Sequence, residues 1–284
     1  MPMEMIKELD HTAVLSLLPD RDPEGHKGTF GKLLLLCGSR GYTGAAYLAA
    51  MGALRCGAGL VFLGVPESVY GIEAVKLNEP VVFPLPDENG MYHADAAESL
   101  RNRLKDMDAV LIGCGMGKSA GTLAVLEMVL KEAHCPVIVD ADGINLLQDH
   151  MYLLRGRSYP TILTPHEGEF RRIGSLGKDR IGSAASLAAQ TGSVVLLKGH
   201  RTCITDGDTC YINTTGNPGM ATGGSGDLLA GMIAALVGQG IPSLEAAACG
   251  AWLHGAVGDI CAEEMGQYAM LPTDMLKVLP RLLK

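Results

Sequence analysis

Short apolar runs recur along the first half of the chain, and stretches with helical spacing lie between them. The runs do not alternate apolar with polar residues, so a strand formed by any of them would be buried on both faces. Buried strands separated by helices are typical of a parallel sheet with helices packed on both sides. The strands that this pattern predicts are residues 32–37, 60–65, 81–83, 109–112, 136–139 and 161–163.

Beyond residue 190 the apolar runs come closer together. Three of them, at 193–197, 202–205 and 210–212, follow one another closely, and the Asp-Gly-Asp between the last two is a hairpin-turn signal. Helical spacing covers the segments 44–56, 120–133, 145–154, 226–238, 244–264 and 273–283. No repeat, low-complexity tract or Pro/Ser-rich linker divides the chain. We therefore predict a single α/β domain over residues 1–284, whose mostly parallel sheet has an antiparallel edge and helices on both faces.

The distribution of charge and apolar residues argues against nucleic-acid and membrane partners. The chain has 23 basic and 31 acidic residues, a net charge of −8 and no lysine or arginine cluster. No apolar run nears the roughly 20 residues of a membrane-spanning helix, and no signal peptide is visible. None of the eight cysteines forms Cys-x-x-Cys, which favours reduced core cysteines over disulfides or a zinc site. This composition is that of a cytoplasmic enzyme.

A glycine-rich segment, residues 216–227, leads directly into a strongly helical run. The backbone amides of Gly224, Ser225 and Gly226 would be free at the start of that helix, where the helix dipole also favours an anion such as a phosphoryl group. Asp227 would lie in the first turn and can accept a proton from a hydroxyl that attacks phosphorus. The alternative is an ordinary glycine loop before a first-turn aspartate, and the length of the glycine run and its Asn-Pro-Gly-Met beginning weigh against it.

A second glycine turn, Gly-Cys-Gly-Met-Gly at 113–117, follows a predicted strand. Lys118 stands where a Gly-x-Gly-x-x-Gly dinucleotide fingerprint has its last glycine, and the acidic residue about 20 positions onward is Glu132, in a helix. Hydride transfer of the Rossmann type is therefore disfavoured, and no P-loop motif occurs. A turn that admits a ligand at the carboxyl end of its strand fits better.

The segment 140–145, Asp-Ala-Asp-Gly-Ile-Asn, closes another predicted strand. Two carboxylates and an amide at the carboxyl edge of a sheet suit a magnesium–phosphate shell or substrate hydroxyls. Asp142 as the N-cap of a helix is an equally good interpretation, and both can hold together.

The segment 164–169, Thr-Pro-His-Glu-Gly-Glu, follows the next strand. Thr164 and Glu167 match a capping box, and Pro165 would occupy the first helical position. His166 and Glu169 would then face the strand ends, where α/β sheets bind ligands, and we favour a substrate contact for His166. No two of the eight histidines show the spacing of metal ligands, so a zinc role is not expected.

A basic segment, Lys-Gly-His-Arg-Thr at 198–202, joins two predicted strands. Its lysine, arginine and glycine turn can grip nucleotide phosphates, although a charged hairpin with no ligand explains it as well when it is taken alone. Glycine-rich loops at 27–32 and 38–46 flank the first predicted strand and would border a substrate pocket. Tyr42 in the second loop is a possible ring-stacking group.

Taken in order, these segments resemble the ADP/ATP-dependent NAD(P)H-hydrate dehydratases, a branch of the ribokinase-like superfamily. The resemblance runs from Lys27 to about Pro280, and its landmarks are specific in combination although each is weak alone. Glu167 is a departure, because the family often has proline between the histidine and the glycine. The landmarks are the segments 27–31, 44–46, 53–60, 113–117, 140–145, 164–169, 198–199 and 216–227.

The resemblance implies a three-layer ribokinase-like sandwich and a two-step repair of NADH or NADPH that carries a 6-hydroxyl group. The enzyme would transfer the terminal phosphoryl group of ADP to that hydroxyl, with Asp227 as the general base, and the ring nitrogen would then expel phosphate. The amides at Gly224, Ser225 and Gly226 would stabilise the transferring group. We expect ADP rather than ATP as the donor, a homo-oligomer (a tetramer in the family), and no epimerase domain of the kind that some relatives carry.

Family analogy also assigns binding residues. The hydrate would contact Ala45, Gly115, His166 and Asp227. The adenine nucleotide would contact Lys198, Gly199, His200, Arg201, Thr202 and Gly226. Magnesium is expected, with Asn145 and Glu169 as outer-shell candidates.

Two other functions are compatible with the same segments. A small-molecule kinase of the same superfamily, acting on a hydroxymethyl or thiazole alcohol, would use Asp227 identically but release a stable phosphorylated product. A non-catalytic nucleotide-binding regulator would bind nucleotide without turnover, and it gives no reason for an aspartate at position 227. A pocket large enough for a dinucleotide distinguishes the dehydratase from the kinase.

Overall fold

The apolar runs form the centre of one large sheet in a computed structural model that describes residues 5–283. Within those residues the sheet has ten strands, and β5 and β6 pair separately as a short antiparallel ribbon. The strands are β1 Met5–Lys7, β2 Lys32–Leu36, β3 Leu60–Pro66, β4 Val81–Leu85, β5 Asp87–Glu88, β6 Met91–Tyr92, β7 Ala109–Ile112, β8 Val137–Val139, β9 Thr161–Leu163, β10 Val194–Leu197, β11 Cys203–Thr205 and β12 Thr209–Ile212.

The order across the sheet is β1-β12-β11-β10-β9-β8-β7-β2-β3-β4. Every neighbouring pair is parallel except the two pairs that include β11. The predicted hairpin is therefore present, with residues 206–208 as its turn, and the mostly parallel sheet is confirmed. The predicted antiparallel edge is displaced inward, because β1 adds to the sheet outside β12 in parallel register.

Helices cover both faces of this sheet, which confirms the three-layer α/β sandwich. Consecutive residues of β2 explain why its apolar run is continuous: Leu33 and Leu35 face one core cluster, while Leu34 and Leu36 face the other. The first cluster packs α1, α2, α3, α9, α10 and α11, and the second packs α4 to α8. The helices are α1 His11–Leu17, α2 Thr43–Arg55, α3 Glu67–Lys76, α4 Asp95–Leu104, α5 Ala120–Glu132, α6 Ala141–Leu147, α7 Glu167–Ile173, α8 Arg180–Thr191, α9 Ser225–Gly238, α10 Ser243–Met265 and α11 Pro272–Val278.

Two predicted helices differ from the observed ones by more than one residue at an end. The helix expected at 145–154 begins four residues earlier, at Ala141, and a separate 3₁₀ turn follows at Met151–Leu154. The last helix ends at Val278 rather than 283, and a 3₁₀ turn containing Pro280 continues it. Proline lacks the amide that an α-helix requires, which accounts for this second difference.

Helices α2 and α9 approach each other closely enough for backbone to touch backbone. A Cβ atom on Gly231 would lie 2.0 Å from the carbonyl oxygen of Ala49, and one on Gly52 would lie 2.7 Å from that of Leu228. No side chain fits in either place, so these two glycines set the spacing of the helix pair.

We expect Gly231→Ala to lower the free energy of unfolding by about 1–3 kcal/mol, since the added methyl group forces the helices apart. Gly71→Ala is the matched control, because Gly71 also lies inside a helix but a Cβ there meets nothing within 4 Å. The control should be neutral or stabilising by up to about 1 kcal/mol through helix propensity. Urea denaturation measures both, and equal effects of the two substitutions would contradict the packing argument.

Candidate active site

A cavity of about 950 Å³ opens where the carboxyl ends of the central strands meet the start of α9. Each parallel strand delivers the residues that follow it to this edge, as is usual for ligand sites in open α/β sheets. Among the predicted site residues, those that line the cavity are His166, Lys198, Gly199, His200, Arg201, Thr202, Ser225, Gly226 and Asp227. Those that do not line it are Ala45, Gly115, Asn145, Glu169 and Gly224.

The glycine-rich segment turns into α9 at Gly224, whose φ of 92° is accessible at little cost only to glycine. Helix α9 begins at Ser225, so Asp227 is its third residue and lies in the first turn as predicted. The amide of Ser225 donates to the carbonyl of Thr222 at 3.3 Å, so the expectation of three free amides is wrong for this one. Among residues 5–283 no side chain caps the helix. The first-turn amides at Gly226 and Asp227 precede the first helical hydrogen bond, which Leu228 donates.

The pKa of the Asp227 carboxyl is raised from 3.8 to about 6. Burial is the main cause, and the nearby carboxylate of Asp140 adds to it. A hydrogen bond with Cys114 and the charge of Lys198 act in the opposite direction. An aspartate with a pKa close to neutrality can take up a proton and release it again, which is what a general base in a reaction cycle must do.

Asp140, which is buried, and Lys198, which is one-fifth exposed, form an ion pair beside Asp227. The Nζ atom of Lys198 lies 2.9 Å from Oδ1 of Asp140, and the Thr164 hydroxyl donates to the same oxygen at 2.7 Å. Burial alone would lower the pKa of Lys198, but Asp140 and Glu169 outweigh it and raise this pKa above its ordinary value. Lys198 is therefore a fixed positive charge on the cavity wall at neutral pH.

Asp142 supports the glycine turn instead of capping a helix. The N-cap position of α6 belongs to Asp140, so the N-cap interpretation of Asp142 is wrong by two residues. The carboxylate of Asp142 accepts a hydrogen bond of 2.8 Å from the amide of Gly117. It thereby ties the start of α6 to the glycine turn at 113–117.

His166 and Glu169 form the capping box that the sequence placed at Thr164 and Glu167. The Nδ1 atom of His166 accepts from the amide of Glu169 at 3.1 Å, and the Glu169 carboxylate accepts from the amide of His166 at 2.9 Å. The helix cannot begin earlier because the backbone still pairs with neighbouring strands: Thr164 donates to Val139, and Pro165 accepts from Lys198. His166 lines the cavity, and its Nε2 atom lies 3.4 Å from Oε1 of Glu169.

The two outer-shell metal candidates already have partners within the protein. The side-chain oxygen of Asn145 accepts from Arg172 at 2.8 Å, and Glu169 is buried behind His166. Neither lines the cavity, so neither is placed to coordinate a metal in it directly. Cys114, Asp140 and Asp227 have ligand atoms within 4.8 Å of one another, but Asp140 is occupied by Lys198.

Ala45 and Gly115 lie against each other next to the cavity. A Cβ atom on Gly115 would be 2.8 Å from the Cβ atoms of both Ala45 and Tyr42, so a larger residue at position 115 would push on α2. Ala45 is almost buried, whereas the Tyr42 side chain is exposed. These residues form a small, apolar patch beside Cys114, and Cys114 in turn contacts Asp227.

Several residues of the site were not identified individually from the sequence, and two of them lie close to Ser225 or Asp227. His254 of α10 is buried on the cavity wall, its Nε2 atom lies 3.3 Å from the Ser225 hydroxyl, and burial lowers its pKa to about 4. Cys114 lies between Asp140 and Asp227. The one usable signal was a histidine inside the otherwise apolar run of α10, since a buried polar group in a helix needs a partner.

Two compositional predictions can be compared with the described residues. All eight cysteines are free and buried, as predicted. Within residues 5–283 no helix combines the length and the apolar character that crossing a membrane requires.

Comparisons with known proteins match most of the chain to one family. Residues 33–281 match the family model described as NAD(P)H-hydrate dehydratase. The chain is 45% identical over 277 residues to the bifunctional NAD(P)H-hydrate repair enzyme of Moorella thermoacetica, in an alignment that covers 95% of this chain and 52% of that protein. The chain thus spans about half the length of that relative.

Two solved structures are similar over nearly the whole chain. A ribokinase-like superfamily protein from Enterococcus faecalis superposes with a TM-score of 0.87 at 30% identity, covering 98% of this chain and 95% of that one. An ADP/ATP-dependent NAD(P)H-hydrate dehydratase from Bacillus subtilis, co-crystallised with ATP and Mg²⁺, superposes with a TM-score of 0.82 at 34% identity, covering 96% of each chain. The ribokinase-like fold is confirmed, and the chain belongs to the NAD(P)H-hydrate dehydratase family.

Proposed function

We propose that this chain repairs the (S)-hydrates of NADH and NADPH, with ADP as the phosphoryl donor. The 6-hydroxyl oxygen of the hydrate attacks the terminal phosphorus of ADP, the bond from that phosphorus to AMP breaks, and AMP leaves. Asp227 takes the proton of the attacking hydroxyl. The ring nitrogen lone pair then expels phosphate, and loss of a ring proton restores the dihydropyridine.

The observation that carries this proposal is the position and pKa of Asp227. Its carboxylate lies in the first turn of α9 on the cavity wall, beside the amides that precede the first helical hydrogen bond. A base with a pKa of about 6 is mostly ionised at neutral pH and yet basic enough to accept a hydroxyl proton during attack. Fixed amides and the positive end of the helix dipole stabilise the charge that develops on the phosphoryl group.

Lys198 would hold the nucleotide phosphates near that base. Asp140 holds its ammonium group in place and raises its pKa, so Lys198 is oriented before the reaction and stays protonated at neutral pH. The loop at 198–202 and the segment at 213–217 line the same cavity, which has room for the rest of the nucleotide. The hydrate would approach from the side of Ala45, Gly115 and His166.

No step of this mechanism passes through a metal ion held by the protein. Asn145 and Glu169 do not fit direct coordination, because both have protein partners and lie behind the cavity wall. A Mg²⁺ ion that arrives with the nucleotide would be held by phosphates and water, as is common for Mg²⁺ in nucleotide sites.

We further propose that the chain acts as one catalytic unit in the cytoplasm, on small molecules only, and as a homo-oligomer. The match over residues 33–281 supports one unit. Eight free, buried cysteines are typical of a reducing compartment.

The test is to incubate hydrated NADH or hydrated NADPH with ADP or with ATP, following dihydronicotinamide absorbance and the release of AMP or ADP. The proposal expects a gain of absorbance that depends on nucleotide and is accompanied by one AMP for each molecule repaired. A stable phosphorylated product without gain of absorbance would instead support a small-molecule kinase. Nucleotide binding with no turnover of any hydrate would support a non-catalytic regulator.

The turnover number at saturating ADP should rise with pH through an apparent pKa of about 6 and then level off. The direction follows because Asp227 must be ionised to accept the proton, so protonation below this pKa removes the base. The terminal phosphate of ADP ionises in a similar range, so ADP binding measured by calorimetry at each pH is the control. A turnover number that stays flat between pH 5 and 7 would be incompatible with Asp227 as the base.

A further inference from the structure

Arg180, the first residue of α8, contacts the nucleotide loop from behind. It does not line the cavity, but its Nη1 atom donates to the carbonyl of His200 at 2.8 Å and its Nη2 atom donates to the carbonyl of Lys198 at 3.0 Å. A guanidinium group presents several donors in one plane, so it can hold two carbonyls at a fixed separation. One side chain outside the cavity thus fixes two peptide groups of the loop that lines it.

The loop needs such an anchor because of its backbone conformation. Gly199 has a φ of 147° and Arg201 has a φ of 54°, and the latter is unfavourable for a residue with a side chain. Within the loop, a hydrogen bond connects the two ends: the Thr202 hydroxyl donates to the Gly199 carbonyl at 2.9 Å. Unfavourable conformations persist only where surrounding contacts hold them, and Arg180 supplies such contacts from α8.

The glycine at 199 is matched to this anchor. A Cβ atom there would lie 2.7 Å from Nη2 of Arg180, so any other residue would collide with the guanidinium group. The small residue of the loop and the arginine of α8 therefore fit each other as a pair.

Arg180 also reaches the helix that carries the capping box of His166. Its Nε atom lies 3.2 Å from Oε1 of Glu167, with an alignment too poor for a hydrogen bond, so the contact is an ion pair only. This chain thus has a direct electrostatic link between α7 and the nucleotide loop.

We infer that Arg180 is a positioning residue for the adenine nucleotide, an inference that rests on the proposed function. By holding the carbonyls of Lys198 and His200 toward α8, it turns the amide of Arg201 the opposite way, because the N–H and C=O of a trans peptide point in opposite directions. The loop then presents the Arg201 amide and the Lys198 side chain, rather than its carbonyl oxygens, to the phosphates, while the Gly199 amide donates to the Thr202 hydroxyl. A loop released from Arg180 would place acceptor oxygens near an anion.

The test compares ADP binding by calorimetry with steady-state kinetics in Arg180→Ala, Arg180→Lys and Glu167→Ala. Arg180→Ala should weaken ADP binding by about 10- to 100-fold, the range for losing charge-assisted hydrogen bonds, and should leave the KM for the hydrate within about threefold of wild type. Arg180→Lys should be intermediate, since an ammonium group lacks the planar fork. Glu167→Ala should weaken ADP binding by no more than a few-fold, because half of its side chain is exposed. Arg171→Ala, an exposed arginine on α7, is the control and should match wild type.

The outcomes separate this inference from the proposed function. If Arg180→Ala binds ADP within twofold of wild type, the inference is wrong. A purely structural role, which would also overturn it, predicts a lower melting temperature with equal effects on both KM values.

If Arg180→Ala does not fold, the Arg180→Lys variant provides the test. A folded Arg180→Lys protein that binds ADP as tightly as wild type rejects the inference. A wild-type protein that binds ADP but never restores hydrated NADH rejects the proposed function, and the calorimetry then still tests Arg180.

Discussion

Replacing Asp227 with asparagine should reduce the turnover of hydrated NADH by at least about 100-fold, the range for losing a general base. Asparagine has nearly the same shape and keeps an acceptor oxygen, so the cavity and its nucleotide contacts should survive. ADP binding, measured by calorimetry, is therefore expected to change by less than about threefold. Turnover equal to that of the wild type would remove Asp227 from the mechanism.

The same substitution should stabilise the protein. The folded-state pKa of Asp227 is raised above the ordinary value, so the folded protein holds this proton more tightly than the unfolded chain does. Its contribution to stability is fully present below about pH 4 and is lost as the pH rises through about 6. At pH 7 the ionised group costs about 3 kcal/mol, which asparagine avoids.

Urea denaturation at pH 7 and at pH 4 measures this effect. Asp227→Asn should be more stable than wild type at pH 7, and the difference should shrink at pH 4. A mutant that is less stable than wild type at both pH values would show that ionisation of the buried Asp227 carboxyl does not destabilise the folded protein.

Replacing Lys198 with methionine should destabilise the fold by about 3–5 kcal/mol, the usual cost of breaking a buried ion pair from one side. Asp140 is 1% exposed and would keep only uncharged partners, including the Thr164 hydroxyl. ADP binding should also be lost, since the fixed positive charge on the cavity wall disappears. The pKa of Asp227 should rise further, because Lys198 acts to lower it.

Two further variants decide whether the buried charge is the cause. Lys131→Met removes an exposed lysine whose Nζ atom lies 2.8 Å from Glu127, and it should leave the urea midpoint nearly unchanged. The double variant Lys198→Met with Asp140→Asn should recover much of the lost stability while remaining unable to bind ADP. If the double variant is no more stable than Lys198→Met alone, loss of packing rather than an unpaired carboxylate explains the destabilisation.

The strands of the sheet were predictable because a strand that is buried on both faces has a continuous run of apolar residues. Residues 109–112 and 161–163 were predicted with the observed bounds. The first run is wholly apolar between Asp108 and Gly113, and the second is a short run that follows Pro160. The strand β1 was missed because it has only three residues, one of them a lysine, and so contains no continuous apolar run. Its place in the sheet depends on pairing with β12, far along the chain.

The site was predictable to the level of segments but not of individual hydrogen bonds. Each segment that closes a strand reached the expected edge of the sheet, since parallel strands share their direction. The capping box moved to His166 because Thr164 and Pro165 are held by neighbouring strands, which local sequence cannot show. Lys198 pairs with Asp140, which lies 58 positions earlier in the chain. This contact helps to keep Lys198 protonated, and neither segment taken alone shows it.

The close approach of α2 and α9 constrains how the protein can move during a catalytic cycle. Ala45 lies near the start of α2, and Asp227 lies near the start of α9. Because the two helices touch backbone to backbone at their glycines, neither helix can slide along the other. Ala45, on the side of the cavity proposed to bind the hydrate, and Asp227, the proposed base, should therefore move together as one rigid body. Any closure around the reactants must then come from the opposite side of the cleft, by movement of residues outside these two helices.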